Sequence, residues 1–207
     1  MTTQTPPSKP PIYDAFAAHY ERVLRPLERL IFTRLRAAAL LALTGGGEGL
    51  RLLEIGAGTG LNFPHYPPDA EGAATDLSRE MLRLAQTKPR PARLRLVQNS
   101  AEALPFADDT FDAAFATLVF CSVVSPPQAF AELRRVVRAG GRIVLLEHVR
   151  PANLLGPVFD VLSFFTARLF DDHFNRRTAE AARRAGLRVL RVESHALGII
   201  QLIVCEV

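Results

Sequence analysis

A glycine-rich stretch, LLEIGAGTG at residues 52–60, is the strongest chemical signal in the sequence. Glycine stands at positions 56, 58 and 60, directly after an apolar run, and glycine lets a ligand approach the backbone closely. The carboxylate of Glu54 would repel a pyrophosphate and attract an ammonium or a sulfonium. The third glycine also comes one residue earlier than in the G-x-G-x-x-G pattern of dinucleotide sites. Spacing and charge together indicate a cationic cofactor.

A second carboxylate, Asp76, closes the next predicted strand. In an open α/β sheet, a carboxylate at that place can accept hydrogen bonds from both ribose hydroxyls of a nucleoside. The alternative role for Asp76 is to cap the helix that follows it, for which Ser78 is the predicted N-cap. Leu77 and Met81 could hold a flat adenine by apolar contact, or they could be ordinary core residues.

The segments around these residues alternate between predicted strands and helices. Apolar runs predict five buried strands, at residues 50–55, 71–75, 94–97, 111–118 and 142–149. Helices are predicted at 78–88 and 126–138, the second ended by a turn at 139–141. Two last strands, at 187–194 and 198–207, are expected to pair antiparallel at an edge. The alternation predicts an α/β fold with a mostly parallel sheet and helices on both faces.

The chain length of 207 residues predicts one domain, over residues 12–207. Residues 1–11 are polar and proline-rich and are expected to be a disordered leader. Residues 12–43 show helical periodicity and predict an N-terminal helical cap. Residues 154–178 begin with an unusually apolar stretch, which predicts a helical insertion near an acceptor site.

Composition excludes several classes of protein. The net charge is +4, and no run of five basic residues occurs, so no nucleic-acid partner is predicted. Two distant cysteines make neither a disulfide framework nor a metal cluster. No stretch of eighteen apolar residues is present, and the N-terminus lacks the pattern of a signal peptide. We therefore expect a cytoplasmic protein, with residues 154–170 as a candidate contact to a membrane surface.

Several motifs recur together in one family. They are Glu54–Gly60, Thr75–Leu82, Ala101–Phe106, Asp109–Asp112 and Arg135–Gly141. This set resembles the class I methyltransferases of the type-11 group, which use S-adenosyl-L-methionine and release S-adenosyl-L-homocysteine. The resemblance implies a Rossmann-like fold whose seven-stranded sheet has one antiparallel strand.

The resemblance also implies a cofactor site. It places the methionine part near Glu54 and Gly56, the ribose on Asp76, and the adenine between Leu77 or Met81 and the turn at 100–102. Many relatives carry an aspartate where this chain has Ser100. The full set of candidate cofactor-binding residues is Tyr20, Glu54, Gly56, Ala57, Gly58, Asp76, Leu77, Met81, Ser100, Ala101, Glu102 and Thr117.

A closer resemblance concerns the methyl acceptor. The segments Thr117–Val123, Glu147–Val149 and His173–Thr178 are similar to the small thiol- and lipid-associated methyltransferases of the group, which take hydrophobic acceptors. Quinone C-methylases share the early motifs, but their asparagine-rich segment after the fourth strand is not seen at Val119–Val124. The resemblance therefore favours a small hydrophobic or lipid-like partner with a thiol, amine or hydroxyl group.

A thiol or amine acceptor needs a base for its proton, and histidine titrates near neutral pH. His148 ends the fifth predicted strand and His173 follows the apolar segment, so these are the candidate catalytic residues. Tyr20 in the helical cap could place its ring near a sulfonium. Each of the three could instead serve in packing or structural hydrogen bonding.

Three functions remain open from the sequence. The first is a methyltransferase for a small hydrophobic acceptor. The second is a protein that holds the cofactor without turnover. The third is a nicotinamide-dependent oxidoreductase, against which both the glycine spacing and Glu54 argue.

Overall fold

The computed structural model of the chain describes residues 26, 28–45, 49–152, 154, 156–157, 159–160, 163 and 176–207. Those residues form a seven-stranded sheet in the order β3-β2-β1-β4-β5-β7-β6. Its strands are β1 Arg51–Ile55, β2 Glu71–Asp76, β3 Arg93–Gln98, β4 Phe111–Thr117, β5 Val137–His148, β6 Arg188–His195 and β7 Ile200–Glu206.

Strands β1 to β5 pair in parallel, and β7 runs antiparallel to both of its neighbours, β5 and β6. Parallel neighbours need crossover connections, and the helices Arg79–Gln86 and Pro126–Val136 lie in two of the connections between these strands. The predicted mostly parallel sheet with an antiparallel pair at its edge is confirmed. All the carboxyl ends of β1 to β5 therefore lie at one edge of the sheet, where open α/β folds bind ligands.

Four helices cover the two faces in the described part of the chain. They are α1 Thr33–Thr44, α2 Arg79–Gln86, α3 Pro126–Val136 and α4 Thr178–Arg184. Helix α1 follows a π-helical turn at Glu28–Phe32 and packs in one buried cluster with Leu52 and Phe115. Helices α3 and α4 contribute Phe130, Leu133 and Ala182 to a second cluster on the opposite face. The expectation of helices on both faces is confirmed.

The prediction for α3 was wrong at its end. The helix stops at Val136, and Val137 already pairs with Phe111, so the predicted turn at 139–141 lies within β5. Gly140 has φ of 73° within this stretch, and two hydrogen bonds, from Gly140 N to the Val207 carbonyl and from Val207 N to the Gly141 carbonyl, hold the stretch beside β7. A β-branched residue with a pairing partner favours the strand over one more turn of helix.

Three sequence predictions fall largely on residues outside the described ranges. They are the leader at 1–11, the first half of the helical cap at 12–43, and most of the insertion at 154–178. Where the insertion is described, residues 156–157, 159–160 and 163 are helical. None of the helices in the described part of the chain has the length and apolar character that crossing a membrane requires.

Candidate active site

Four strand ends and the turns that follow them converge at the carboxyl edge of the sheet. Ile55 of β1 pairs with Thr75 of β2 on one side and with Ala116 of β4 on the other. Thr117 pairs with Leu146, so His148 extends two residues further along β5. The candidates at 54–58, 76–81, 117 and 148 are thus brought to one edge, as predicted.

The glycine turn, Gly56–Gly60, is held in a conformation that only glycine adopts easily. All three of its glycines have φ between 55° and 80°, and a side chain there costs about 1–2 kcal/mol in backbone strain. A Cβ on Gly56 would lie 2.3 Å from the Val119 side chain, and one on Gly60 would lie 2.5 Å from the Phe63 ring. A Cβ on Gly58 would meet nothing within 4 Å. Gly58 therefore borders open space at the sheet edge.

The Asp76 carboxylate connects the glycine turn to the second strand. Its Oδ2 accepts a hydrogen bond from the Gly58 N–H at 2.8 Å, and its Oδ1 accepts one from the Ser78 N–H at 2.8 Å. The Ser78 hydroxyl, in turn, caps α2 by accepting from the Met81 N–H at 3.1 Å. Asp76 thus fixes the spacing between the turn and α2, while Ser78 is the cap that the sequence predicted.

The predicted adenine region lies beside Asp76. The Asn99 N–H donates to the Asp76 carbonyl at 3.1 Å, which brings the turn at 100–102 to the end of β2. Leu77 is exposed next to this turn, and Met81 is buried beneath α2. Ala101 is partly buried against the core. An exposed leucine beside a turn of backbone polar groups can contact a flat aromatic ring.

Glu102 has a structural role in this region. Its Oε1 accepts hydrogen bonds from the Val124 N–H at 3.0 Å and the Ser125 N–H at 3.2 Å. Its Oε2 is paired with the Ser100 hydroxyl. The carboxylate therefore ties the turn after β3 to the start of α3 and occupies the hydroxyl at the position where many relatives have an aspartate.

A buried polar network lies behind the glycine turn. The Glu54 side chain is fully buried, and it accepts hydrogen bonds from Asn62 Nδ2 at 2.6 Å and from the Tyr66 hydroxyl at 2.8 Å. Burial raises the pKa of Glu54 to about 7, although both hydrogen bonds and the charge of Arg36 lower it. Burial and the nearby Glu54 charge raise the pKa of Tyr66. Glu54 is therefore poised between its charged and neutral forms near neutral pH.

Arg36 joins this network to α1. Its guanidinium donates to Thr117 Oγ1 at 2.6 Å, to Asn62 Oδ1 at 3.0 Å and to Glu28 Oε1 at 2.7 Å. The residue is 3% exposed, which is rare for arginine unless its charge is paired. We call Glu28, Arg36, Glu54, Asn62, Tyr66 and Thr117 the buried polar network. This network connects α1, the glycine turn and the end of β4.

The sequence prediction missed most of this network. For Arg36 the sequence contains one indication of burial. The residue falls on the same helical face as Phe32, Leu40 and Leu43, where an apolar residue is expected. Asn62 and Tyr66 carried none that local spacing could reveal. Thr117 was predicted to contact the cofactor, and its hydroxyl is engaged by Arg36 and by Asn62 Nδ2 at 2.9 Å.

A second buried carboxylate, Glu147, holds the loop after β4. Its Oε1 accepts hydrogen bonds from the Val119 N–H at 3.1 Å and the Phe120 N–H at 3.2 Å. Leu118, just before this loop, has φ of 59°, a left-handed conformation that costs a non-glycine residue energy. Leu118 in its left-handed conformation and the buried Glu147 side chain together hold Val119 against Gly56. The signal for Glu147 was its isolation within the apolar run of β5.

Of the two candidate bases, His148 and His173, and the candidate aromatic residue Tyr20, the structure describes only His148. His148 lies at the carboxyl end of β5, half-buried, opposite Ile200 of β7. It therefore stands at the same edge as the glycine turn. His173 and Tyr20 lie outside the described residues.

A methyltransferase domain model matches residues 53–145, from β1 through most of β5. The chain is 40% identical over 150 residues to the ubiquinone/menaquinone biosynthesis C-methyltransferase of Syntrophotalea carbinolica, covering 70% of this chain and 63% of that protein. The chain therefore contains a domain similar to those of the class I S-adenosylmethionine-dependent methyltransferases. The methyl donor of this domain is S-adenosylmethionine.

One further relative and one solved structure are similar to this chain. A human thiol S-methyltransferase is 32% identical over 133 residues, which cover 62% of this chain and 52% of that protein. A chain from the complex of the Haloferax volcanii Trm112 methyltransferase activator with a methyltransferase has the same fold, with a TM-score of 0.73 at 20% identity, over 96% of this chain and 99% of that chain. The chain thus spans between half and two thirds of the length of these two curated relatives.

The residues at this sheet edge fit S-adenosylmethionine. The open space beside Gly58 accommodates a ligand against the backbone. Asp76 offers carboxylate oxygens next to that space, as a ribose diol requires. Glu54 places a carboxylate beneath the turn, on the side where an ammonium and a sulfonium would be favoured.

Proposed function

We propose that this chain transfers the methyl group of S-adenosylmethionine to a small hydrophobic or lipid-like acceptor at a thiol, amine or hydroxyl. The observation that carries the proposal is the open face of Gly58 next to the Asp76 carboxylate, at the carboxyl edge of a methyltransferase sheet. The similarity to a thiol S-methyltransferase supports sulfur as the acceptor atom. C-methylation in quinone biosynthesis is the second candidate, favoured by the 40% identical relative.

In this proposal each part of the cofactor contacts a different group of the candidate residues. The backbone of Gly56, Ala57 and Gly58 borders the methionine part, and Asp76 accepts from the ribose hydroxyls. Leu77, Met81 and the turn of Ser100, Ala101 and Glu102 surround the adenine. Glu54 and Thr117 act from the buried polar network, with Glu54 supplying negative charge beneath the turn, and Tyr20 remains the proposed aromatic contact to the sulfonium.

The chemistry that the cofactor supplies is an activated methyl group. The task of this chain is to hold the acceptor atom in line with that group, and positioning of this kind is worth about 7–11 kcal/mol of barrier. His148 accepts the proton that a thiol or amine acceptor loses, with His173 as the alternative base. Residues 154–170 form the proposed apolar contact to the acceptor or to a membrane surface.

The first experiment titrates the purified protein with S-adenosylhomocysteine by calorimetry. A methylation assay then follows with alkyl thiols, amines, phenols, reduced naphthoquinones and phosphatidylethanolamine. Binding with turnover of a thiol, amine or hydroxyl compound supports the proposal, and turnover of a naphthoquinone alone moves it to the second candidate. Binding without any turnover favours a cofactor-holding protein, and absence of binding overturns the proposal.

The role of His148 has its own test. His148→Ala should lower kcat for a thiol acceptor by about 100-fold, the lower range for a positioned base, while the affinity for S-adenosylhomocysteine stays unchanged. His195→Ala is the matched control, because His195 pairs with the same Ile200 from the other side of β7. Equal activity of the two variants would remove His148 from the reaction.

A further inference from the structure

A cavity of about 320 Å³ opens between the start of α3 and the start of α4, beside the loop that follows β4. Its apolar lining comprises Pro126 and Ala181 together with the edges of Phe120 and Phe130, a stacked pair with ring centroids 4.4 Å apart whose residues are 1% and 0% exposed. The other part of the lining is dominated by arginine. The lining residues include Phe120, Phe130, Arg176, Arg177, Glu180 and Arg184.

Among the residues that the structure describes, the lining of this cavity is richer in basic than in acidic side chains. Arg177 and Arg184 share a single carboxylate, that of Glu180. Glu180 lies 3.4 Å from Arg177 and 3.2 Å from Arg184, whose side chains are 60% and 80% exposed. Ion pairs so exposed contribute little and leave donor N–H groups accessible. The cavity therefore has a positive wall facing an apolar one.

The arginine wall is connected to the proposed methyl-transfer site. Arg176 donates a hydrogen bond to the carbonyl of Phe120. The neighbouring Val119 packs against Gly56 of the glycine turn, and the N–H groups of both loop residues donate to Glu147. Two consecutive residues thus separate the cavity from the glycine turn. An amphipathic molecule in the cavity would be close to the carboxyl edge of the sheet.

We propose that this cavity binds the anionic group, a phosphate or a carboxylate, of an amphipathic methyl acceptor. Arg177 and Arg184 donate charge-assisted hydrogen bonds to the anion, which are about twice as strong as neutral ones. The apolar part of the molecule contacts Pro126 and Ala181, on the side of the cavity that Phe120 borders. The identification of this ligand as the acceptor rests on the proposed function; the anion site itself is measurable by binding alone.

The test compares two double variants of the full chain. Arg177→Gln with Arg184→Gln removes two charges from the cavity. Arg83→Gln with Arg93→Gln is the matched control, because these side chains are 63% and 78% exposed and each pairs with one carboxylate, Glu80 or Glu71. Calorimetry measures the binding of octyl phosphate, kept below its critical micelle concentration, of octanol and of inorganic phosphate.

The expected result is that octyl phosphate binds the wild-type chain and the control pair equally, and the cavity pair about tenfold or more weakly. Octanol and inorganic phosphate should each bind at least tenfold more weakly than octyl phosphate. S-Adenosylhomocysteine should bind all three proteins alike.

Three outcomes would overturn the proposal. Equal loss in both double variants would show a nonspecific charge effect, and no octyl phosphate binding to the wild type would exclude the site. Binding only to vesicles of phosphatidylcholine with phosphatidylglycerol, lost in the cavity pair, would assign the arginines to a membrane surface instead. In each case unchanged S-adenosylhomocysteine binding would leave the proposed function standing, whereas its loss in the wild type would count against that function alone.

Discussion

The glycine turn and the buried polar network meet at the end of β1, but they are built in opposite ways. The turn is fixed by backbone groups and by Asp76, whose partner Gly58 is 18 positions away in the sequence. The network is fixed by side chains, and its bond from Arg36 to Thr117 spans 81 positions. The turn borders open space, whereas the side chains of the network are almost entirely buried.

This difference distinguishes the part of the molecule that binds a ligand, the glycine turn, from the part that stabilises the fold, the buried polar network. A ligand surface made of backbone and one carboxylate needs little from the rest of the chain beyond a strand end. A buried network of charges must be satisfied completely, because an unpaired buried charge is strongly destabilising. We therefore expect changes in the network to act mainly on stability, and changes in the turn to act mainly on cofactor affinity.

The largest expected effect is on stability, from Arg36→Met. This substitution leaves Glu28, Asn62 and Thr117 without their shared donor, and loss of one partner from a buried charged group costs about 3–5 kcal/mol. Arg34→Met, on the exposed side of α1, is the control and should change the free energy of unfolding little. Urea denaturation measures both. If the two variants were equally stable, the network would not be the scaffold described above.

The next effect is the pH dependence of stability that Glu54 produces. Because its pKa is about 7 in the folded chain, against an ordinary 4.5, the folded state holds this proton to higher pH than the unfolded state does. Stability should therefore fall as pH rises from about 4.5 to 7, by about 3 kcal/mol in total.

Glu54→Gln removes this dependence, since the Tyr66 hydroxyl can accept from the new amide. Relative to wild type, the variant should gain stability between pH 5 and pH 7 in urea denaturation, and the difference should level off above pH 7. Glu80→Gln, on the partly exposed surface of α2, is the control for loss of one carboxylate. Parallel pH profiles for wild type and Glu54→Gln would contradict the assignment.

A smaller effect, on affinity, is expected from Gly56→Ala. The new Cβ would lie 2.3 Å from Val119 and would force the loop after β4 away from the turn. We expect S-adenosylhomocysteine to bind about 100-fold more weakly, equivalent to about 2.8 kcal/mol. Gly49→Ala is a matched control, because Gly49 has nearly the same φ, 66° against 65°, with nothing within 4 Å of its Cβ position. Similar affinities for the two variants would show that the contact with Val119 does not matter.

The smallest effect is expected from Asp76→Ala. It removes the acceptor for the Gly58 and Ser78 N–H groups, together with the proposed partner of the ribose. Calorimetry should show about 10- to 30-fold weaker binding of S-adenosylhomocysteine, the lower end of the range for a hydrogen bond to a charged group. Asp69→Ala is the matched control, because it also removes a carboxylate that accepts a hydrogen bond from a glycine N–H, that of Gly49, at 2.9 Å. Wild-type affinity in Asp76→Ala would assign this carboxylate to capping alone.

The sequence predicted the elements around the turn well, because their signals are local. Short apolar runs gave the five parallel strands, and Ser78 gave the start of α2. The end of α3 was predicted wrongly because the signal that decides it is not local. Val137 is extended because Phe111 lies beside it, and Gly140 and Gly141 belong to β5 because Val207 is hydrogen-bonded to them.

The sequence by itself therefore determined the sheet, its order of elements and the family, since glycine spacing and the carboxylates at two strand ends are properties of contiguous residues. Only the tertiary structure decided which charges are buried and with what they pair. The partners of Arg36, Glu54 and Glu147 come from separate elements, and no rule of spacing connects them. The physical reason is that a buried charge is tolerated only where several distant donors and acceptors meet, and folding alone brings them together.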